Sequence, residues 1–179
     1  MTDERKEMSM EELFEKRASQ QMVSEANAFK TVAKGVYGLR ATQYKATSDE
    51  GRTNIWVSVD ILGEDGTRKA KSSFKMSPDE KRTAKGFLDG KSKIYGQVLK
   101  AIWPNESDAE RAAHSAGEVV QLILQTPLQG FVSLTFKGPK NPETGWNEWL
   151  DAKDEAEEAE FRKRGYQPTN MVRSIQAVK

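Results

Sequence analysis

One tryptophan and a row of lysines lie on the solvent side of two consecutive strand-like segments. In residues 53–62 the aliphatic side chains recur at every second position from Ile55 to Ile61, so Trp56 falls on the opposite face. In residues 69–76 the lysines Lys69, Lys71 and Lys75 alternate with smaller or apolar residues. Exposed aromatic rings stack on the bases of a single nucleic-acid strand, and lysines neutralise its phosphates. The pattern therefore predicts a surface that holds a single strand by stacking and charge.

The candidate binding residues share one property, which is a predicted position on the outer side of a strand. The predicted stacking residues are Trp56, Tyr44 and Phe131, and the predicted phosphate contacts are Lys69, Lys71, Lys75, Arg40, Arg52 and Lys137. An alternative stays open at this point. A helix often covers the second face of a strand, and the chain has enough helical pattern to bury these side chains instead.

Residue types suited to catalysis or metal binding are scarce. The chain has no cysteine and one histidine, which leaves no thiolate nucleophile and no cysteine-ligated zinc. His114 lies four residues from both Glu110 and Glu118, which predicts a solvated helix face with two carboxylates. The acidic residues within 157–160 lack the spacing of a calcium loop. We therefore predict a protein without catalytic activity, cofactor or metal ion.

Charge is segregated along the chain although the formal net charge is only +1. Basic residues outnumber acidic ones from residue 30 to residue 100, acidic residues dominate from 101 to 160, and residues 161–179 contain basic residues and no acidic ones. A polyanion would prefer the first of these regions, whereas the acidic region could repel it or compete for the same surface. Simple solvation of a small protein is the other explanation that the charges allow.

The predicted elements that position these residues follow the order strand, strand, strand, helices, strand, strand. The strands are expected at 36–47, 53–62, 69–76, 130–137 and 146–150, with a helical insertion at 77–126. Residues 1–29 are predicted to form a polar helical extension, and residues 151–179 an acidic helix and a basic tail. This order predicts an α+β fold, a five-stranded OB-like β-barrel spanning residues 30–150 with N- and C-terminal helices.

Capping residues mark the predicted helices of the insertion. Ser77 followed by Pro78 has the residue types of a helix start, and the apolar stripe of a second helix ends before Pro104. A capping box formed by Ser107 and Glu110 predicts one further helix that continues to Ile123.

Three other tryptophans have predicted positions. Trp103 continues the apolar stripe of a helix, which predicts a place in the core. Trp146 and Trp149 fall on opposite faces of the expected fifth strand, which predicts that one of them is buried.

The location predicted for the protein is the cytoplasm. The absence of cysteine agrees with a reducing compartment, and the charged N-terminal residues do not resemble a secretory signal. No apolar run approaches the roughly 20 residues that cross a bilayer, so we predict no membrane partner.

The order of elements and four short segments resemble the phage-type single-stranded DNA-binding proteins with an OB fold, including phage families formerly of unknown function. These segments are KGVY at 34–37, NIWVSV at 54–59, GQVLKAI at 96–102 and TGWNEW at 144–149. The resemblance covers residues 30–150 and rests on order and pattern. It implies sequence-independent binding of single-stranded DNA in replication or recombination, in the host cytoplasm, with RNA binding and homo-oligomerisation left open.

The resemblance also implies replication or recombination proteins as partners. Members of these families often end in an acidic tail that recruits such proteins, whereas this sequence ends in NMVRSIQAVK. Either the internal acidic region takes that role or recruitment of this kind is missing. The alternative function is a non-enzymatic adaptor or inhibitor that docks on a replication, recombination or host factor. If Lys69, Lys71 and Lys75 line a continuous open groove with Trp56, nucleic-acid binding is favoured. If the acidic helix covers them, either the adaptor function is favoured or the helix acts as a displaceable mimic of the strand.

Overall fold

Six strands and four helices form the part of the chain that the structure, a computed structural model, describes, which is residues 30–178. The predicted N-terminal helix at 1–29 lies outside the described residues. The strands are β1 (Gly35–Asp49), β2 (Arg52–Leu62), β3 (Arg68–Met76), β4 (Leu128–Lys140), β5 (Asn147–Asp151) and β6 (Gln167–Ala177). The helices are α1 (Gly90–Ile102), α2 (Asp108–Ala112), α3 (Ala116–Ile123) and α4 (Glu155–Lys163). The α+β class is therefore confirmed, and the chain between the third and fourth strands contains helices.

The sheet is antiparallel throughout and open along one seam. β1 pairs with β2 and with β4, β2 pairs with β3, and β4 pairs with both β5 and β6. The described sheet therefore has six strands instead of the expected five. No backbone ladder joins β3 to β6 within residues 30–178, so the sheet is not closed. Across this seam the Ser72 hydroxyl donates a hydrogen bond of 2.7 Å to the Asn170 carbonyl oxygen.

The sixth strand lies where the sequence predicts a basic tail. β6 pairs with β4 along most of its length, and its buried residues are Asn170, Val172 and Ile175. Their spacing changes from two residues to three because the register between β4 and β6 shifts at this point. Such a bulge interrupts the alternation by which a strand is recognised in sequence. The basic tail therefore contains a strand that the sequence pattern does not predict.

The main core lies between the inner face of the sheet and the helices that connect β3 to β4. The four aliphatic residues of β2 are buried as their alternation predicts, and they belong to one cluster with Val98 of α1 and Val119 of α3. A second cluster consists of Leu134, Phe136, Phe161 and Tyr166, and it attaches α4 to the sheet. The first cluster packs against the inner face of β2 and β3, so the alternate residues of these strands face outward.

The helix start expected at Ser77 is wrong. The Ser77 hydroxyl donates to the Thr53 carbonyl oxygen at 2.6 Å, which ties the end of β3 to β2 instead of capping a helix. Helix α1 begins at Gly90, with the Asp89 carboxylate accepting from the Ser92 backbone N–H. None of the helices in the described part of the chain is long and apolar enough to cross a membrane.

The other capping prediction is confirmed, although the helix that follows is shorter than expected. Ser107 and Glu110 form the reciprocal capping box at the start of α2. The helical pattern to Ile123 is interrupted before Ser115, which caps a separate helix α3 by accepting from the Glu118 N–H. The interruption places His114 between the two helices, outside the regular face that the sequence predicts.

His114 joins three segments at this interruption. Its ring stacks on Trp103 with 3.6 Å between the ring centroids, and Trp103 is half-buried against the core. Its Nδ1 lies 2.9 Å from a Glu118 carboxylate oxygen and its Nε2 lies 2.8 Å from Glu106. The expected Glu118 partner is thus found, whereas Glu106 takes the place of Glu110. The hydrogen bonds to Glu118 and Glu106 raise the pKa of His114 above its ordinary value.

Substitution of His114 by phenylalanine should lower stability more at about pH 6 than at about pH 9. A pKa that is raised in the folded protein stabilises it below the pKa of the unfolded chain, and this contribution is lost as the pH rises through the folded pKa. Phenylalanine keeps an aromatic ring against Trp103, so the difference between the stability losses at the two pH values reports the charge of His114. Urea unfolding at several pH values measures it, and a difference independent of pH would contradict the prediction.

Candidate nucleic-acid interface

A cleft with a volume of about 1230 Å³ lies across the open seam. Its walls come from β1, β2, β3, β6 and the first turn of α1. Six basic side chains line it, namely Arg68, Lys71, Lys75, Lys91, Lys93 and Arg173. The lining also contains two acidic residues, Asp60 and Asp89. The cleft therefore collects basic residues from β3, α1 and β6, which are far apart in the sequence.

Both acidic residues of the lining are neutralised by arginines outside it. An Asp60 carboxylate oxygen accepts from Arg40 at 2.9 Å. The Asp89 carboxylate accepts from Arg52 at 2.6 and 2.8 Å, and this contact holds the pKa of Asp89 well below its usual range. The remaining field in the cleft is positive, which favours an anionic ligand.

Trp56 lies at the edge of the cleft between two lysines. In the sheet it is directly opposite Lys45 on β1 and Lys75 on β3. The Lys75 Nζ lies 4.7 Å from the centroid of the indole ring, within the range of a cation–π contact. Trp56 is 42% exposed, so a large part of its ring is available to a ligand. A base stacked on this ring would have a positive charge beside it for the adjoining phosphate.

Lys75 has a second basic neighbour in the cleft. The Lys91 Nζ donates to the buried Asn54 side-chain oxygen at 3.2 Å. Burial first, and then the adjacent Lys75 ammonium, lower the pKa of Lys91. Two ammonium groups held close together repel each other, and a phosphate between them would relieve this repulsion. The pair therefore places positive charge beside Trp56.

Three of the nine predicted site residues line the cleft, and they are Trp56, Lys71 and Lys75. Arg40 lies in the same row of the sheet as Lys71, with Asp60 between them. Lys69 is exposed on β3 but is not part of the lining. The structure therefore brings together the centre of the predicted site.

Tyr44 is separated from the predicted face by a bulge in β1. The register shifts between Ala41 and Gln43, so Tyr44 lies opposite the fully buried Val57 rather than on the face of Trp56. The sequence places Arg40 and Tyr44 on one face because strict alternation assumes no such shift. Tyr44 is nevertheless 39% exposed and borders a smaller cleft of about 460 Å³ that Trp56 also lines.

Arg52 has a structural position instead of an open one. Its guanidinium donates to the Asp89 carboxylate, the Ser77 and Ser92 hydroxyls and the Asp79 carbonyl oxygen. Only 13% of the side chain is exposed. These partners occupy the guanidinium N–H groups that would otherwise be available to a phosphate.

Phe131 and Lys137 lie on other parts of the sheet. Phe131 is opposite Val36 and Ser174, and neither it nor Lys137 lines the large cleft. The Lys137 Nζ lies 5.7 Å from the ring centroid of Trp149 on β5.

The expectation that either Trp146 or Trp149 is buried is wrong. Trp146 is 79% exposed and Trp149 is 44% exposed. Trp146 precedes β5, so the alternation of that strand does not apply to it.

Four basic lining residues were not predicted, namely Arg68, Lys91, Lys93 and Arg173. Lys91 and Lys93 belong to a stretch in which Gly86 and Gly90 obscure the start of a helix. The aspartate cap at Asp89, three residues before Ser92, is the signal that could have located it. Arg173 lies at the bulge of β6, which interrupts the alternation of that strand.

The acidic helix α4 is absent from the walls of the cleft. Its buried residue Phe161 packs against Phe136 and Tyr166 in the second cluster. The basic side chains of β3 that line the cleft are thus not covered by this helix.

Comparisons of the chain with protein families, with curated proteins and with solved structures find no match.

Proposed function

We propose that the chain is a sequence-independent single-stranded DNA-binding protein of phage type, acting in replication or recombination. The observation that carries this proposal is the positive cleft with an exposed indole at its edge, between Lys45 and Lys75. A single strand offers charged phosphates and flat base faces, and the cleft has a complementary group for each. Binding by this surface requires no catalytic group, cofactor or metal ion.

The OB architecture belongs to the same proposal. The strand order β3-β2-β1-β4 continues to β6, which leaves a single seam between β6 and β3. An OB fold is a partly open barrel of five strands, and β5 with α4 would then be an insertion before the last of them. The helices between β3 and β4 fit this interpretation. The Ser72–Asn170 hydrogen bond supports it by holding the two sides of the seam together.

A single strand suits the cleft better than a duplex. In a duplex the base faces are stacked on each other, so an indole on a protein surface has no free face to contact. Trp56 combined with the Lys75–Lys91 pair matches one unpaired base and its phosphate. The adaptor alternative predicts that the acidic helix covers the basic residues of β3, and the position of α4 away from the cleft favours the strand-binding proposal.

Titration of the protein with a dT oligomer, followed by tryptophan fluorescence, tests the proposal. We expect quenching at low salt, weaker affinity at higher salt, and no displacement of the oligomer by duplex DNA. The logarithm of the affinity should fall linearly with the logarithm of the salt concentration, by about 0.7 for each phosphate contact. No fluorescence change at low salt would exclude strand binding and favour the adaptor function.

Lysine variants make the same experiment specific to the cleft. Lys71→Gln and Lys93→Gln should each reduce the salt slope by about 0.7, because each removes one phosphate contact. Lys100→Gln is the matched control, since Lys100 is an exposed lysine on α1 outside the cleft. Equal slopes for all three variants would place the strand elsewhere on the protein.

A further inference from the structure

A small hairpin connects β3 to α1 beside the cleft. Arg82 and Leu88 form an antiparallel bridge, and the Thr83 N–H donates to the Phe87 carbonyl oxygen at 2.7 Å. The turn closes where the Gly86 N–H donates to the Thr83 carbonyl oxygen at 2.9 Å, with Gly86 at φ +85°. A side chain is strained at this φ, so glycine suits the turn. Residues 81–88 therefore form a defined structure, which we call the basic hairpin.

The base of the basic hairpin is fixed to the sheet. Arg52 of β2 donates to the Asp79 carbonyl oxygen and to the Asp89 carboxylate, on the two sides of the hairpin. The Asp79 carboxylate accepts from the Thr53 backbone N–H at 2.7 Å. The Asp89 N–H also donates to the Lys81 carbonyl oxygen. The position of the hairpin relative to β2 is thus determined by hydrogen bonds from both of its ends.

This fixed hairpin presents an aromatic ring to solvent. Phe87 is 70% exposed, the largest exposure of any phenylalanine in the described part of the chain. Burial of a phenylalanine side chain is favourable, so a ligand that covers the ring would gain from the contact. The ring is available without rearrangement of the core.

The charge around Phe87 is positive. Arg82 pairs with Glu80 at 2.9 Å, and the Asp79 carboxylate is occupied by the backbone of β2. Lys81 and Lys85 are exposed and form no ion pair within residues 30–178. Exposed lysines beside a solvent-facing aromatic ring match the phosphates and bases of a single strand.

The basic hairpin is continuous with the cleft. Asp89, Gly90 and Lys91 line the cleft, and Phe87 precedes Asp89 by two residues. We propose that a single strand bound in the cleft continues onto the basic hairpin, where a base stacks on Phe87 and Lys85 contacts a phosphate. This inference rests on the proposed function and adds a second stacking position to it.

Oligomer length separates the hairpin from the cleft in a binding experiment. With dT oligomers of about 4 and about 12 nucleotides, Phe87→Ala should weaken binding of the longer one by about 5- to 150-fold and leave the shorter one within about twofold. Trp146→Ala is the control for loss of an exposed aromatic ring on another loop. Phe87→Trp supplies a direct reporter, whose added fluorescence should be quenched by the longer oligomer.

Three results would overturn the inference, and each has a separate meaning. If wild type binds both oligomers and Phe87→Ala matches it at both lengths, the hairpin proposal fails while the proposed function stands. If wild type binds neither oligomer, both fail. A Phe87→Trp signal that responds to anionic lipid vesicles and not to the long oligomer would assign the hairpin to a membrane surface instead. Because Phe87 lies outside the core, its substitution should not prevent folding.

Discussion

Replacement of Trp56 by alanine should weaken the binding of a dT oligomer by about 5- to 150-fold. Stacking of one base on an aromatic ring contributes about 1–3 kcal/mol, and each 1.4 kcal/mol corresponds to a factor of ten. The ring is exposed and lies opposite lysines on both neighbouring strands, so the truncation removes the stacking surface and leaves the phosphate contacts in place. The salt slope should therefore change little while the affinity falls.

Anisotropy of a labelled dT oligomer measures this loss, because the variant lacks the tryptophan whose quenching is expected to report binding. Trp56→Phe should recover part of the affinity, since a smaller aromatic ring still stacks. Phe131→Ala is the matched control, because Phe131 is 39% exposed on the same sheet but lies outside the cleft. Equal losses for Trp56→Ala and Phe131→Ala would contradict the assignment of the cleft as the binding surface.

Replacement of Arg52 by alanine should lower the free energy of unfolding by about 3–5 kcal/mol, the range found when one partner of a buried ion pair is removed. The Arg52–Asp89 pair is largely buried, with 13% and 24% of the two side chains exposed. The substitution leaves the Asp89 carboxylate without its cation and frees the base of the basic hairpin. Urea unfolding followed by circular dichroism measures the effect.

Arg40→Ala is the control for this second prediction. Arg40 also pairs with an aspartate, but 57% of its side chain is exposed, so the loss should stay within about 1 kcal/mol. A loss within about 1 kcal/mol for Arg52→Ala as well would show that the hydrogen bonds of Arg52 contribute little to stability.

The stabilisation from Arg52 should also depend on pH in a defined direction. The hydrogen bonds from Arg52 lower the pKa of Asp89 in the folded protein. A lowered pKa stabilises the fold above the pKa of the unfolded chain, about 3.9 for aspartate, and this contribution is lost as the pH falls toward the folded value. The difference between wild type and Arg52→Ala should therefore shrink below about pH 4.

Regular alternation and a complete capping motif were sufficient to predict part of the fold. β2 has apolar residues at every second position, and the extra residue at the register shift with β1 lies in β1, between Ala41 and Gln43. The alternation of β2 is therefore uninterrupted there, and Trp56 faces outward as predicted. The Ser107–Glu110 box is a local interaction, and local sequence determines it. These features need no information from distant parts of the chain.

The errors arise where distant residues decide the local structure. Ser77 has the residue type of a helix cap, but its hydroxyl is used by β2 and by Arg52. Arg52 itself has the type of a phosphate contact, and its main partner Asp89 is 37 residues away. The bulge of β1 before Gln43 changes the face on which later residues lie, and no pattern in the strand marks it. Pairing partners and register are properties of the folded sheet.

The open seam has a consequence for the solubility of the protein. The edge of β3 that faces β6 has no backbone ladder in the described structure, and a strand edge of this kind is a template for pairing with another molecule. Positive side chains occur along β3 from Arg68 to Lys75. Two copies that approached each other at this edge would bring these like charges together, so the charges oppose aggregation. We therefore expect the lysines of β3 that line the cleft to limit association of the protein with itself as well.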